Sequence, residues 1–309
     1  MLRRLQVTLV SLCVLGGAAS ADEMRYPLAL AAVPDGPIYI VDRGLLPTNA
    51  PGVWKFADGK LSWFYQGEKK FRTPLNAARC AALDHQGRLL VGDSSTREVY
   101  RFSEDGKPEP LTKGVNAGIG IPMALAVNKA GDIFVCDLET QFIYKIPAAG
   151  GAAERFAQPG PCRGIAIDDQ DRLWLVVHAK NQIVRITPDA KSEVVLDKWP
   201  FQFPHHIVLD KDLNAYVADG YAKAVWKIDS AGKPTKFVEG PPLDNPVGLA
   251  WWGEKLLIAD PRANAVFEVG TDGKLTTIVA GPPEKKPEPP AKSDKPAAKD
   301  EKKKDAKKS

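Results

Sequence analysis

The chain has 309 residues, of which 44% are apolar and 26% charged, and its formal net charge is +4. That charge sits at the ends: residues 284–309 hold ten lysines and six acids, Arg3 and Arg4 lie near the start, and residues 22–283 are left at about −2. A body with no net positive field is not an obvious partner for nucleic acid.

The first 21 residues read as a cleavable export signal. Arg3 and Arg4 form a charged start, Leu5 to Gly17 is mainly apolar, and Ala19-Ser20-Ala21 is a small-residue cleavage site before Asp22. The apolar run is too short to span a bilayer comfortably. A lipoprotein signal would use Cys13, but Leu12 stands where a small residue is needed. The expectation is a periplasmic or secreted product, and no later segment has the length or purity of a transmembrane helix.

Residues 22–281 are built from six copies of one unit. A strand-like phrase ending in Asp recurs as IYIVD to Asp42, LLVGD to Asp93, IFVCD to Asp137, AYVAD to Asp219 and LLIAD to Asp260. LWLVV fills the remaining slot, with Val177 at the Asp position. A period near 40 residues signals a propeller or a solenoid. Before each phrase comes a short apolar strand, as in PLALAAV from Pro27 and PMALAVN from Pro122, then a tight turn such as Pro34-Asp35-Gly36. A third strand follows (VWKF, VYRF, IYKI, IVRI, VWKI, VFEV), then a polar turn and a weaker fourth. In Val225-Trp226-Lys227-Ile228, period-2 alternation puts Val225 and Lys227 on one face and Trp226 and Ile228 on the other. Such a sheet has two apolar faces and cannot stand alone. Six of them around an axis bury one another. An open solenoid would need terminal repeats with polar outer faces, and the end repeats here are as apolar as the middle ones. The expected fold is therefore an all-β, six-bladed β-propeller of four-stranded antiparallel blades.

Residues 282–309 follow as a tail. From Glu284 onward it contains only Lys, Glu, Asp, Pro, Ala and Ser. It cannot bury enough apolar surface to offset ordering entropy, so disorder is expected. It reads as a solvated spacer or as an electrostatic contact to an anionic envelope surface.

The recurring Gly-Ile-Ala-Val-Asp-type strand, the turn, the Ile-Tyr-Val-Ala-Asp-type strand and the Val-x-Lys/Arg-Ile/Phe strand resemble the NHL repeat, over roughly residues 26–281. Related propellers include the senescence-marker/gluconolactonase family. The resemblance implies the fold. Its functional implications are broad, because such propellers serve as protein-binding scaffolds, lyases and lactonases.

Strand topology indicates where a site would lie. The first strand of a blade starts on one face of the disc and the second returns to it. Counting back from the Asp column gives a ring at that face: Leu28, Arg79, Met123, Arg163, His205 and Val247. Arg79, Arg163 and His205 are expected to converge on an anionic group, since the Arg fork of donors suits carboxylate or phosphate. Asp93, Asp137, Asp219 and Asp260 would stand near them, with His178, His206 and Tyr221 adjoining. For the aspartates the competing reading is turn capping. For the arginines it is pairing with those same aspartates.

The expected function is an exported ligand- or protein-binding scaffold that engages an anionic small molecule, glycan or peptide, with no cofactor. The alternative is a metal-dependent lactonase or lyase at the same mouth, using Ca or Zn, with Asp219 and His205 as the residues offered to a metal. Against a lactonase, no Glu stands beside Pro27 and no Pro-Asn-Gly occurs; Asn245 precedes Pro246 instead. Phe203-Pro204-His205-His206 resembles a His segment of the peptidylglycine lyase propellers. The third ligand of a three-His zinc site would then be His178, since His85 lies in a turn at the opposite face. Cys80, Cys136 and Cys162 allow one disulfide in an oxidising compartment, with the pairing open.

Overall fold

The computed structural model describes residues 23–282, except 45–49, 69, 71, 114–117, 180–181, 198 and 271–272. The expected export signal (residues 1–21) and, from residue 283, the expected tail lie outside the described residues.

Among the described residues, twenty-four strands form six four-stranded antiparallel sheets, each built from strands consecutive in the chain. The first is β1 (Pro27–Ala32), β2 (Ile38–Asp42), β3 (Gly52–Ala57) and β4 (Lys60–Gln66). The innermost strands of the other five are β5 (Ala78–Leu83), β9 (Pro122–Val127), β13 (Cys162–Ile167), β17 (Pro204–Leu209) and β21 (Gly248–Trp252). Strand β1 lies against both β5 and β21, so the ring is closed as a six-bladed propeller.

Six apolar clusters hold the six seams between blades. The alternation in β19 (Ala224–Ile228) is realised as read. Val225 packs toward the sixth blade, and Ile228 and Trp226 toward the fourth. The closing seam joins Leu30, Ile40 and Trp54 of blade one to Leu257, Val266 and Val279 of blade six. Met24, fully buried, packs into the same cluster. Among the described residues no strand of one terminal blade joins the sheet of the other, so closure rests on side-chain burial together with the bond from Trp252 Nε1 to the Gly36 carbonyl at 3.1 Å. Each large side chain in such a seam contributes about 1.5–3 kcal/mol.

The inner strands approach closely enough to require glycine at two places. A Cβ on Gly164 would lie 2.6 Å from the His205 carbonyl oxygen, and one on Gly248 would lie 2.5 Å from that of Leu28.

The Asp column ends each second strand and ties it to the segment entering the blade. Asp219, closing β18 (Ala215–Asp219), accepts bonds from Gln202 N–H (2.8 Å), Phe203 N–H (2.7 Å) and Trp226 Nε1 (3.2 Å). Asp42, Asp93, Asp137 and Asp260 do the same with their own segments through Arg25, Ala77, Gly120 and Asn245 N–H groups. All five are buried.

Cys136 and Cys162 form a disulfide across the seam between blades three and four, while Cys80 is a buried free thiol. Burial pushes the Cys80 pKa up to about 12.

Candidate functional site

In five of the six blades the residue that opens the blade is aimed by a β-bulge. In the first five blades the inner strand skips a residue as it pairs with its neighbour. Pro27 pairs with Asp42 and Ala29 with Val41, leaving Leu28 unpaired. Arg79, Met123 and Arg163 are skipped in the same way, and in blade five the irregular stretch between Pro204 and Ile207 holds His205 and His206. Val247 directly precedes β21. A bulged residue leaves the regular up-and-down pleat. Here Leu28, Arg79, Met123, Arg163 and His205 at the bulges, together with Val247, line one cavity of about 180 Å³ at the end of the disc marked by the Asp column.

Arg43, Tyr26, Cys80 and His206 complete its polar and polarisable lining. Arg43 is the residue after the column Asp of blade one, and the ring pattern does not include it. Its signal was a basic residue next to a column position at the predicted face.

Arg79 donates from Nε to Ser94 Oγ at 3.0 Å, and Ser94 Oγ donates to the Ala77 carbonyl at 3.1 Å, so that guanidinium is anchored by neutral groups. Arg163 has a buried Nε without a hydrogen-bond partner among the described residues. Neither arginine forms an ion pair with a described carboxylate, which removes the reading that they serve to pair with the Asp column. Burial foremost, then Arg43 and Arg163, lower the pKa of Arg79; burial also lowers that of Arg163. Both remain cations at neutral pH, because an arginine begins far above it. Arg79 is thus the guanidinium on which the other two cations of the cavity act.

Phe203 organises the neighbouring wall. The Arg163 Cζ lies over its ring, 4.7 Å from the centroid. His205 and His178 meet it edge-on at 4.8 and 5.1 Å, and Tyr221 stacks on it at 4.6 Å with 17° between the planes. Tyr221 is 58% exposed, so this cluster runs from the cavity-lining Arg163 and His205 through Phe203 out to solvent. Phe203 lies in the connection between blades, 16 residues before Asp219; the slot recurs in the repeat, as Tyr26 before Asp42 and Ala77 before Asp93, but the residue type in it does not.

The histidines carry no charge here at neutral pH. Burial, then Arg163 and the neighbouring histidines, push the His205 pKa down to about 3, and burial pushes His206 down to about 4. His178 is also lowered, by burial and Arg163 against the opposing bond between its Nε2 and the Pro204 carbonyl at 2.9 Å. The expected contribution of His205 to a positive mouth is therefore corrected. It supplies a neutral imidazole, and the third cation is Arg43.

The sequence-derived set divides accordingly. Arg79, Arg163, His205 and His206 line the cavity, while Tyr221 and His178 reach it only through Phe203. Asp93, Asp137, Asp219 and Asp260 do not line it, because their oxygens are occupied by backbone N–H groups of their own blades. Among the described residues no three His, Cys, Asp or Glu side chains converge to hold a metal ion.

No family model matches the sequence, and no curated protein matches it. Solved structures do match in fold. A virginiamycin B lyase from Staphylococcus aureus superposes with a TM-score of 0.61 at 18% identity, over 82% of this chain and 86% of that one. A gluconolactonase from Xanthomonas campestris gives 0.65 at 18% identity, over 78% and 85%. A chain of a nidogen/laminin complex gives 0.62 at 16% identity, over 82% and 92%. Identities this low carry architecture and not chemistry. The chain is thus a six-bladed β-propeller whose structural neighbours include lactonase, lyase and protein-binding propellers.

Proposed function

We propose that this propeller is a binding protein for a small anionic group, captured at the axial cavity by Arg43, Arg79 and Arg163. The observation that carries this reading is the buried, partnerless Nε of Arg163 in a cavity with no carboxylate among its described lining residues. A buried donor at a cationic group is expensive to leave unmade, and an incoming oxyanion supplies the missing acceptor. The cavity is smaller than the roughly 300–1,000 Å³ of sites that enclose drug-sized ligands. That suits a small molecule, or the acidic end of a larger glycan or peptide.

Export fits the same picture. The disulfide between Cys136 and Cys162 supports work in an oxidising compartment, with the Lys-rich tail as a spacer or a contact to an anionic envelope surface.

The test is calorimetric titration of inorganic phosphate and acetate at low ionic strength. Binding is expected in the wild type and a loss of at least tenfold in Arg163→Gln. Equal binding in both proteins overturns the reading, as does a failure to bind that extends to larger organic acids. A second reading, lactone hydrolysis or lyase chemistry, is favoured by the structural neighbours. Turnover of simple lactones that depends on a stoichiometric metal in the purified protein would replace the first reading with this one.

A further inference from the structure

The rest of the cavity lining says what is attached to the anion. Between and opposite the arginines stand Leu28, Met123 and Val247. Blade order places Met123 between Arg79 and Arg163, with Val247 across the axis from it and Leu28 across from Arg163. Among the described lining residues there is no Asp, Glu, Asn, Gln, Ser or Thr side chain. The side-chain groups able to accept a hydrogen bond are the Tyr26 hydroxyl, the Cys80 sulfur (a weak acceptor) and the neutral imidazoles of His205 and His206. Cys80 is a buried thiol already directed at the Pro122 carbonyl. A ligand carrying several hydroxyl groups would bring several donors into a site built almost entirely of donors and apolar groups, and would leave most of them unpaired.

The rim points the same way. The Tyr221 ring is exposed and stacked on Phe203 at the edge of the cavity beside Arg163. An exposed aromatic face one ring away from a cationic group matches a flat apolar body joined to an acid head.

We infer that the ligand is an organic acid with an apolar, planar body, its acid head among Arg43, Arg79 and Arg163 and its body against Met123, Val247 and the Phe203–Tyr221 rim. This inference rests on the anion-binding reading and narrows it: it selects against polyhydroxylated sugar acids and against bare inorganic anions.

The experiment is calorimetric titration of the wild-type protein at two temperatures with four probes: benzoate, phenyl phosphate, gluconate and inorganic phosphate. Benzoate or phenyl phosphate is expected to bind at least tenfold tighter than gluconate and than inorganic phosphate, with a negative heat-capacity change from apolar burial. The tighter of the two aryl probes identifies the head group as carboxylate or phosphate. In Met123→Gln the ratio of aryl-acid to gluconate affinity is expected to fall. Gluconate or inorganic phosphate binding as tightly as the aryl acids, with sensitivity to Arg163→Gln, overturns the inference and leaves the anion reading standing. No binding of any of the four overturns both.

Discussion

The guanidinium of Arg163 lies over the ring of Phe203, with its Cζ 4.7 Å from the centroid, and its Nε has no hydrogen-bond partner among the described residues. A half-buried cation held on an aromatic face keeps its position without spending its donors. The ring quadrupole attracts the charge, by about 0.5–2 kcal/mol, while the N–H groups stay available to an anion. Arg79 is held differently, through Ser94, and spends its Nε on that contact.

If Phe203 fixes Arg163 in this way, removing the ring should weaken anion binding without unfolding the protein. Phe203→Leu keeps an apolar side chain in the connection between blades four and five. The dissociation constant for benzoate or phosphate is expected to rise about threefold to thirtyfold, matching the loss of a cation–π contact, with a melting temperature within a few degrees of wild type. Titration calorimetry and a thermal scan check both halves. Unchanged affinity would mean that the ring does not position Arg163.

The Asp column yields a prediction that runs against the repeat pattern. Asp219 takes the N–H groups of Gln202 and Phe203, which lie 17 and 16 residues earlier. In blade four the corresponding positions before Val177 are Gly160 and Pro161. Proline has no N–H, so a carboxylate at 177 would lose one of its donors. Val177 is instead buried in the seam between blades three and four. Val177→Asp therefore restores the consensus of the other five blades, yet is expected to destabilise the protein by more than about 2 kcal/mol through an under-bonded buried charge. Asp219→Ala is expected to destabilise by a similar amount, because several N–H groups lose their acceptor. Urea unfolding of both variants decides it, and a Val177→Asp variant as stable as wild type would refute the account.

That departure shows what the sequence made legible. Strands and blades could be read because their apolar alternation returns six times in phase, and phase is a property of backbone geometry. The ring around the axis was reached by counting back from Asp42, Asp93, Asp137, Val177, Asp219 and Asp260. It held because the bulge recurs at the same offset, so Arg79 and Arg163 fall in one cavity although 84 residues separate them. Phe203 and Arg43 also sit at fixed offsets from the column, sixteen before Asp219 and one after Asp42, but the residue type changes from blade to blade at both slots, so the repeat marks the place and not the chemistry. The neutral state of His205 could not be read from the sequence, because desolvation depends on what packs around a side chain, and neighbours brought by other blades cannot be seen along one strand.

Those histidines make stability depend on pH. The folded-state pKa of His205 is about 3 and that of His206 about 4, both below an unfolded value near 6.5. Between those limits the unfolded chain binds more protons than the folded one. Their contribution is therefore fully present above about pH 6.5 and is lost as pH falls toward about 4 and then 3. The urea midpoint is expected to fall between pH 6.5 and 4, and the fall should be shallower in His206→Phe, which fills the space without a titrating group. Equal slopes in the two proteins would show that His206 is not buried in the neutral form. Anion affinity, by contrast, is set by arginines that stay charged, and is expected to be flat from pH 5.5 to 8 when measured with benzoate.

The disulfide tests whether the seam next to the cavity is independently stable. Cys162 immediately precedes Arg163 and Cys136 immediately precedes Asp137, and the bond joins blades three and four across 26 residues of sequence. Closing a loop of that length in the unfolded chain stabilises the fold by about 3 kcal/mol in the chain-entropy model. The seam also has its own apolar contacts, Phe134 and Ile143 against Leu173 and Leu175, so the propeller is expected to remain closed when the bond is removed. The double substitution Cys136→Ala with Cys162→Ala should lower the urea-derived stability by about 3 kcal/mol, and added dithiol reductant should lower the wild-type midpoint to a similar level while leaving the variant unaffected. Anion titrations on the variant at 25 °C should stay within about twofold of wild type, because Arg163 is oriented by its bulge and by Phe203 and not by the sulfur bridge. A reductant effect of equal size on both proteins would show that the bridge does not stabilise the fold, and a collapse of anion binding in a folded variant would show that Arg163 depends on it.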